Sequence, residues 1–292
     1  VENLTNHLEY LGYYGSHVSS NINVRRRNVG VTYNVTLGKQ IPIKDIEIIL
    51  PDDTEFAMDF IADTASSHIK PGSFLSEEIL ELESQRSSNA MRDKGYFTFS
   101  KNNYFFEADT LSCPDSALLK LTVNRYTRNE KPESGIPIRK FYFDSVSINY
   151  PRTLKIRHKV LEGLNTITPG AQYSTTTVNN TYSRLSALRV FSSVNIGLNQ
   201  IDTNKINAVI SLSQSKLQGF KVNLEGSVNS SGLFGVSPQL SYYHKNIFKG
   251  GEWLNLGFMG NFQFKFKDKV RSNEFGVSGG LSFPKFFPLP YR

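Results

Sequence analysis

The 292-residue sequence contains a single cysteine, Cys113. No intramolecular disulfide can form, and no cysteine pair exists to hold zinc or run thiol redox chemistry. Burial of apolar side chains therefore has to supply the stability. No run of about 18 apolar residues occurs, which excludes a membrane-crossing helix and leaves membrane-crossing strands open. The five histidines (His7, His17, His68, His158, His244) show no metal-ligand spacing and no HExxH, so no metal or other cofactor is expected. Charge of one sign is scarce too: a formal excess of +7, read as spread along the whole chain, is too dilute to indicate nucleic acid and suits an anionic surface equally well. The chain starts at Val1 without a basic and apolar leader, so a signal segment is expected to have been removed or to lie outside this piece. What is present, 39% apolar with 12% aromatic residues, is enough to fold, and the length alone suggests roughly two ordinary domains.

Internal repetition refines that count. Ile41-Pro42-Ile43-Lys44 returns as Ile136-Pro137-Ile138-Arg139, an offset of 95 residues, and each copy leads into an alternating apolar run. Those runs, Ile46, Ile48, Leu50 and Phe141, Phe143, Val146, Ile148, read as strands that open a unit. Leu11-Gly12-Tyr13-Tyr14 is echoed by Lys94-Gly95-Tyr96-Phe97 and, without the glycine, by Leu188-Arg189-Val190-Phe191. Helical spacing precedes the later echoes: Leu75, Ile79, Leu82, Arg86, Ala90 in one, Val178, Tyr182, Leu185, Leu188 in the other. Glycine at the end of such a stripe supplies the left-handed residue that stops a helix. An earlier helix is carried by Phe56, Phe60 and Ile61 in the second unit and by Ile156, Val160, Leu161 and Leu164 in the third. Two strands close each unit: Val18 to Val24 and Val29 to Leu37, Phe97 to Glu107 and Leu118 to Tyr126, Phe191 to Asn199 and Ile206 to Leu212. The unit reads strand, helix, helix, strand, strand, an α+β pattern, and the chain begins inside the last helix of the first copy. Thr127 to Gly135, charged and carrying Pro132 and Gly135, is the linker candidate.

From Leu217 onward helical spacing disappears. Leu254, Leu256, Phe258, Gly260, Phe262, Phe264 and Phe266 alternate with Trp253, Asn255, Gly257, Met259, Asn261, Gln263 and Lys265. The pattern recurs with Phe220, Val222, Leu224 and Val228, with Val236, Leu240 and Tyr242, and with Phe275, Val277, Leu281 and Phe283, implying four consecutive strands. A water-facing sheet with one buried face would alternate in the same way. Strand length argues for the bilayer, since the third run exceeds the roughly 9 to 11 residues a tilted strand needs to cross it. Tyr242, Tyr243, Phe248, Trp253, Phe286, Phe287 and Tyr291 sit at strand ends, where headgroup girdles belong. Closed membrane barrels start at about eight strands, so four would be an incomplete barrel.

Catalytic motifs mostly dissolve on inspection. Gly276-Val277-Ser278-Gly279-Gly280 fits Gly-x-Ser-x-Gly, but it lies inside an alternating strand rather than at a sharp strand-to-helix turn. Lys39 follows Gly38 without a P-loop serine or threonine. Arg25-Arg26-Arg27 reads as a charged hairpin turn, and Glu77, Glu78, Glu81 and Glu83 as carboxylates favouring a helix start. Asn-x-Ser/Thr sites at Asn3, Asn34, Asn179 and Asn229 are what chance gives. An enzyme is not expected.

The chain resembles polypeptide-transport-associated (POTRA) domains followed by the start of a BamA/TamA-type outer-membrane barrel. The stretches that carry the resemblance are Met91-Arg92-Asp93-Lys94-Gly95-Tyr96-Phe97-Thr98-Phe99, running into Phe106-Glu107-Ala108-Asp109-Thr110, and Tyr242-Tyr243-His244-Lys245-Asn246-Ile247-Phe248-Lys249-Gly250-Gly251-Glu252. The first is similar to a late POTRA helix and second strand, the second to the Asn-x-Phe-x-Gly hairpin between early barrel strands. The Gly-Tyr-Phe and Ala-Asp-Thr wording is similar to TamA-like proteins of the Bacteroidota. The family's Arg-Gly-Phe loop motif, which lies late in the barrel, is absent, as a truncated barrel would require.

The resemblance implies the C-terminal part of a POTRA domain at 1-40, POTRA domains at 41-128 and 136-216, and the first strands of a transmembrane β-barrel at 217-292. It implies a bacterial outer-membrane location with the POTRA arm in the periplasm, and a role in inserting or exporting polypeptides. Clients would be unfolded outer-membrane or surface proteins, added as strands at exposed sheet edges. Candidate client-binding residues are Phe99, Tyr104, Phe105 and Phe106. Lipid-facing candidates are Phe220, Val222, Leu224, Leu254, Leu256, Phe258, Phe262, Phe264 and Phe266, with the strand from Leu217 to Val228 as the barrel's seam. Outer-membrane lipid and an inner-membrane-anchored translocation partner complete the expected partners; nucleic acid is not among them. A two-partner secretion transporter or passive channel, and a soluble binding or adhesion protein whose last sheet packs on itself, are the alternatives.

Overall fold

The structure, a computed structural model, describes residues 1–25, 28–113, 115–127, 129–132, 135–228, 233–265 and 271–284. Arg26, Arg27, Asn229, Phe266, Phe286, Phe287 and Tyr291 lie outside them. The chain divides into two compact units, Val1–Tyr142 with Gln172–Thr175, and Phe143–Ala171 with Thr176–Arg292. The charge is not evenly spread between them, contrary to the expectation from the sequence. The first unit holds 16 basic against 19 acidic side chains, the second 17 against 7. An excess of +10 in the second unit is offset by −3 in the first.

In the first unit, helix α1 (Glu2–Tyr10) leads into the antiparallel hairpin β1 (His17–Arg25) and β2 (Asn28–Thr36). Gly12, at φ 89°, and Gly95, at φ 103°, supply the left-handed residues expected at the helix ends. The hairpin carries Ile22, Val24, Val29 and Val31 exposed.

The rest of this unit is β3 (Ile43–Ile49), α2 (Thr54–Asp63), α3 (Glu77–Asp93), β4 (Tyr104–Asp109) and β5 (Ala117–Val123). The strands order β3-β5-β4, with β3 parallel and β4 antiparallel to β5. A parallel pair needs a long crossover, and the two helices are part of it. In the central strand every second residue, Ala117, Leu119, Leu121 and Val123, is buried. Leu121 and Val123 meet Phe56 and Phe60 of α2, Met91 of α3, and Tyr96, Phe99 and Tyr104 in one core. Phe56 lies 5.1 Å and 4.9 Å, centroid to centroid, from Tyr96 and Phe99, both edge-on.

Three expectations are corrected here. The strand placed from Phe97 to Glu107 begins only at Tyr104. Residues before it form a turn and a short 3-10 segment started by a reciprocal Ser100 and Asn103 cap, so Phe99 reaches the core from a turn rather than from a pleat. The α3 stripe holds only in part: Ile79 and Ala90 pack against the core, but Leu82 is exposed, while Glu83, Ser84, Ser87, Ser88 and Met91 are buried. Ser84 and Ser88 satisfy their hydroxyls on carbonyls three residues back, at 2.9 Å and 3.1 Å. Glu83 accepts from the His68 N–H and from Arg86, whose guanidinium also forks onto Asp63. It is a structural carboxylate rather than a helix-start charge. The Ile136-Pro137-Ile138-Arg139 echo leads into its strand as expected, and Ile138 joins Phe56 in the core of the first unit.

The second unit begins with the same order of elements: β6 (Tyr142–Asn149), α4 (His158–Leu164), α5 (Thr175–Ser186), β7 (Phe191–Asp202) and β8 (Lys205–Gln214), ordered β6-β8-β7. Its central strand alternates likewise, burying Ile206, Ala208, Ile210 and Leu212. Leu161, Leu185, Leu188 and Val190 fill the space under the helices. Helix α5 closes with Leu188 N–H on Leu185 C=O and no left-handed residue, which is why no glycine is needed before Phe191. A four-stranded antiparallel meander follows, β9 (Gln218–Val228), β10 (Phe234–His244), β11 (Trp253–Phe264) and β12 (Arg271–Ser282), in the order β12-β11-β10-β9. The fold is thus α+β strand-helix-helix-strand-strand units followed by antiparallel strands of an open sheet.

Candidate functional site

Each strand of the meander is 11 or 12 residues long, about twice the usual soluble length. Their registers stack the apolar positions into rows across the sheet. Val222 pairs Leu240, Leu240 pairs Phe258, and Phe258 pairs Val277. Phe220, Tyr242 and Leu256 form the next row. Near the far hairpins Val228, Phe234 and Phe264 form another. The opposite face carries Lys221, Ser241, Gly257 and Ser278 in one row, and Asn223, Gln239, Met259 and Gly276 in the next. No described element covers the apolar face: Phe220 is 73% exposed, Val222 74% and Val277 78%. An apolar face this bare marks a surface that interacts with a partner or a membrane. Ser278 sits mid-strand opposite Gly257, and the strand runs on to Ser282, so the sharp strand-to-helix turn of a nucleophile elbow is not formed there.

Of the lipid-facing candidates, Phe220, Val222, Leu224, Leu254, Leu256, Phe258, Phe262 and Phe264 all fall on this one face. Phe266 lies outside the described residues.

The Asn-x-Phe-x-Gly stretch forms the β10 to β11 turn, at the end of the sheet where β9 also starts. It is held against the segment before α4 by its own polar side chains. Asn246 donates to the Lys155 carbonyl at 3.0 Å and accepts from the Gly251 N–H at 2.9 Å. Glu252, buried, accepts from the N–H groups of Phe248 and Gly250 at 3.1 Å and 2.9 Å, and pairs with Arg157 at 3.1 Å. Arg157 N–H in turn donates to the Lys249 carbonyl at 2.9 Å. A Cβ on Gly250 would meet Glu252 Oε1 and the Arg157 guanidinium, so a larger residue there would have to shift this ion pair. Beside the turn the Arg189 guanidinium stacks on Trp253, 3.7 Å from the ring centroid. The Asn-x-Phe-x-Gly pattern marks this turn in the sequence but not its partners, which lie 91 and 95 positions away.

Two further features concern strand addition. In the first unit β4 is an edge of its sheet, and β7 is an edge in the second. Beside β4 runs a groove of about 510 Å³ lined by Tyr10, Leu80, Glu81, Lys101, Tyr104 and Phe106. Lys101 donates to Glu81 at 2.7 Å, and this hydrogen bond holds the Glu81 carboxyl below its ordinary range. Burial pushes the Tyr104 phenol well above its usual range. The four client-binding candidates do not share one surface. Phe99 and Tyr104 are core residues, 2% and 1% exposed, whereas Phe105 and Phe106 lie on β4 and are partly accessible.

No protein-family model and no curated protein matches the sequence. Solved structures align over most of it at low identity. BamA from Haemophilus ducreyi lacking POTRA domains 1-3 covers 83% of this chain at 15% identity with a TM-score of 0.46, and 48% of that chain is matched. POTRA3-5 of BamA from Haemophilus influenzae covers 73% of this chain and 78% of its own, at 12% identity and a TM-score of 0.48. CdiB from Acinetobacter baumannii covers 84% of this chain and 42% of its own, at 13% identity and a TM-score of 0.41. The chain therefore spans about half the length of the first of these and less of the last.

Proposed function

We propose that this chain is the periplasmic arm and the first barrel strands of a bacterial outer-membrane protein that inserts or exports polypeptides, in the manner of the TamA-like branch. The observation that carries the reading is the bare apolar face of β9 to β12, joined within one compact unit to a strand-helix-helix-strand-strand sheet with an open edge. Strands of this length, apolar on one face and polar on the other, suit a bilayer outside and a wet lumen inside. POTRA domains at 41-128 and 136-216, a partial one at 1-40 and barrel strands from 217 are the corresponding division.

Client segments, unfolded outer-membrane or surface polypeptides, add to the open edge of β4 through backbone hydrogen bonds. Phe105 and Phe106 flank that edge, and the adjoining groove receives client side chains. Phe99 and Tyr104, the latter the first residue of β4, turn into the core and shape the strand from within the fold. The role is not enzymatic. Outer-membrane lipid and an inner-membrane-anchored partner complete the assembly.

The test is depletion of the protein in its host followed by quantitative surface proteomics. Loss of many outer-membrane proteins is the expected result. Loss of a single surface protein overturns general assembly and leaves the two-partner transporter reading. A photo-crosslinker at Phe105 is expected to capture unfolded client, and one at buried Leu119 is not.

A further inference from the structure

The foot of the apolar face carries a second feature that strand insertion does not use. A cleft of about 810 Å³ opens there, within the size range of ligand sites. Its walls are apolar where Val160, Leu164, Phe283 and Pro284 line it. Phe283 continues the run that ends in the Leu254 and Leu281 pair, so the cleft lies at the end of the face read as lipid-facing. Its rim is cationic, with Arg157, Lys159 and Arg184 around it.

These charges are not equally free. Arg157 is neutralised by buried Glu252, and His158 faces Glu162 at 3.4 Å. Lys159 and Arg184 are exposed and have no ion-pair partner among the described residues. Two uncompensated cations beside an apolar floor match a molecule with a negatively charged head and apolar tails. They lie in the unit whose formal charge is +10.

We propose that this cleft binds an anionic glycerophospholipid, its phosphate held by Lys159 and Arg184 and an acyl chain laid against Val160, Leu164 and Phe283. The proposal rests on the reading of β9 to β12 as membrane-embedded. Given that reading, the end of the sheet lies at headgroup depth, where a guanidinium forks onto a phosphate and an ammonium meets it as a point charge. The lipid would fix how deeply this end of the sheet sits.

The test uses the full 292-residue chain folded with vesicles of phosphatidylcholine alone or mixed with phosphatidylglycerol, read by flotation across a lipid titration. Phosphatidylglycerol is expected to tighten association by at least about tenfold, with each basic side chain giving roughly fivefold. Lys159→Gln with Arg184→Gln is expected to abolish the preference while leaving association with phosphatidylcholine intact. Lys205→Gln with Lys221→Gln, a charge-matched pair outside the cleft, is expected to keep it. Excess inorganic phosphate at constant ionic strength should leave the preference unchanged; competition by phosphate would make this a free-anion site and overturn the lipid assignment. Flotation with equal affinity for both vesicles, or equal losses in the two double variants, overturns the lipid site and leaves the membrane reading standing. Failure to float with either vesicle overturns the membrane reading and the site with it.

Discussion

The two three-stranded sheets and the four-stranded meander obey the same rule of alternation and come to opposite ends. In β5 and β8 the apolar side chains turn toward helices that cover them, and Leu119 and Ile210 are almost fully buried. In β9 to β12 they turn toward nothing in the described chain, and Phe220 and Val277 are bare. Period-two patterning therefore specifies a face but not the medium against it. The covering element decides that: a βααββ order brings its own lid, a meander of hairpins does not.

Substitutions on the two kinds of sheet should separate them. Phe56→Ala, beneath the first covered sheet, is expected to cost about 3 to 5 kcal/mol of unfolding free energy in aqueous denaturant titration. Phe258→Arg, in the middle of the bare face, should cost about 2 to 4 kcal/mol when folding into vesicles is measured and almost nothing in water. Equal costs in both media would erase the distinction. Met259→Arg, the next residue but on the polar face, should be tolerated in vesicles.

At the turn beneath the meander, Glu252→Ala strips the acceptor from two main-chain donors and the partner from Arg157. A loss of about 1 to 3 kcal/mol is expected, seen as earlier unfolding of the meander and faster amide exchange at Phe248 and Gly250.

The smallest effect concerns pH and the first unit alone. Burial by itself would raise the Asp59 carboxyl, but hydrogen bonds from Lys140 and Tyr96 and the charges of Lys140 and Lys94 outweigh it and hold it below its ordinary value. The folded state thus binds this proton less readily than the unfolded chain. The stabilisation is complete above the unfolded value of about 4 and is lost as pH falls through the lower folded one. Asp59→Asn should flatten the acid limb of the stability curve for this unit and leave the meander's unchanged.

Much of this was legible in the sequence, for reasons that differ by element. Val222, Leu240, Phe258 and Val277 alternate without interruption, so the face they share followed from spacing alone, and Gly12 and Gly95 announced helix ends through the backbone they permit. The serines on the buried face of α3 were not legible, because Ser84 and Ser88 are small and turn their hydroxyls onto the helix's own carbonyls. Phe97 to Tyr104 misled because a turn lined with aromatics fills a core as well as a strand does. The joint between Arg157 and Glu252 joins residues 95 positions apart, and periodicity carries no information about such pairs. The charge imbalance was hidden by averaging over both units.

The turn that sets Asn246 and Glu252 against the segment before α4 also has a mechanical side. Four bonds cross from it within a few residues: Asn246 to Lys155, Arg157 to Lys249 through both its main chain and its guanidinium, and Arg157 to Glu252. A pull that separates the turn from that segment loads them together instead of opening them one at a time. Such a joint yields abruptly and late, so a displacement of one part of this unit reaches the other with little slack.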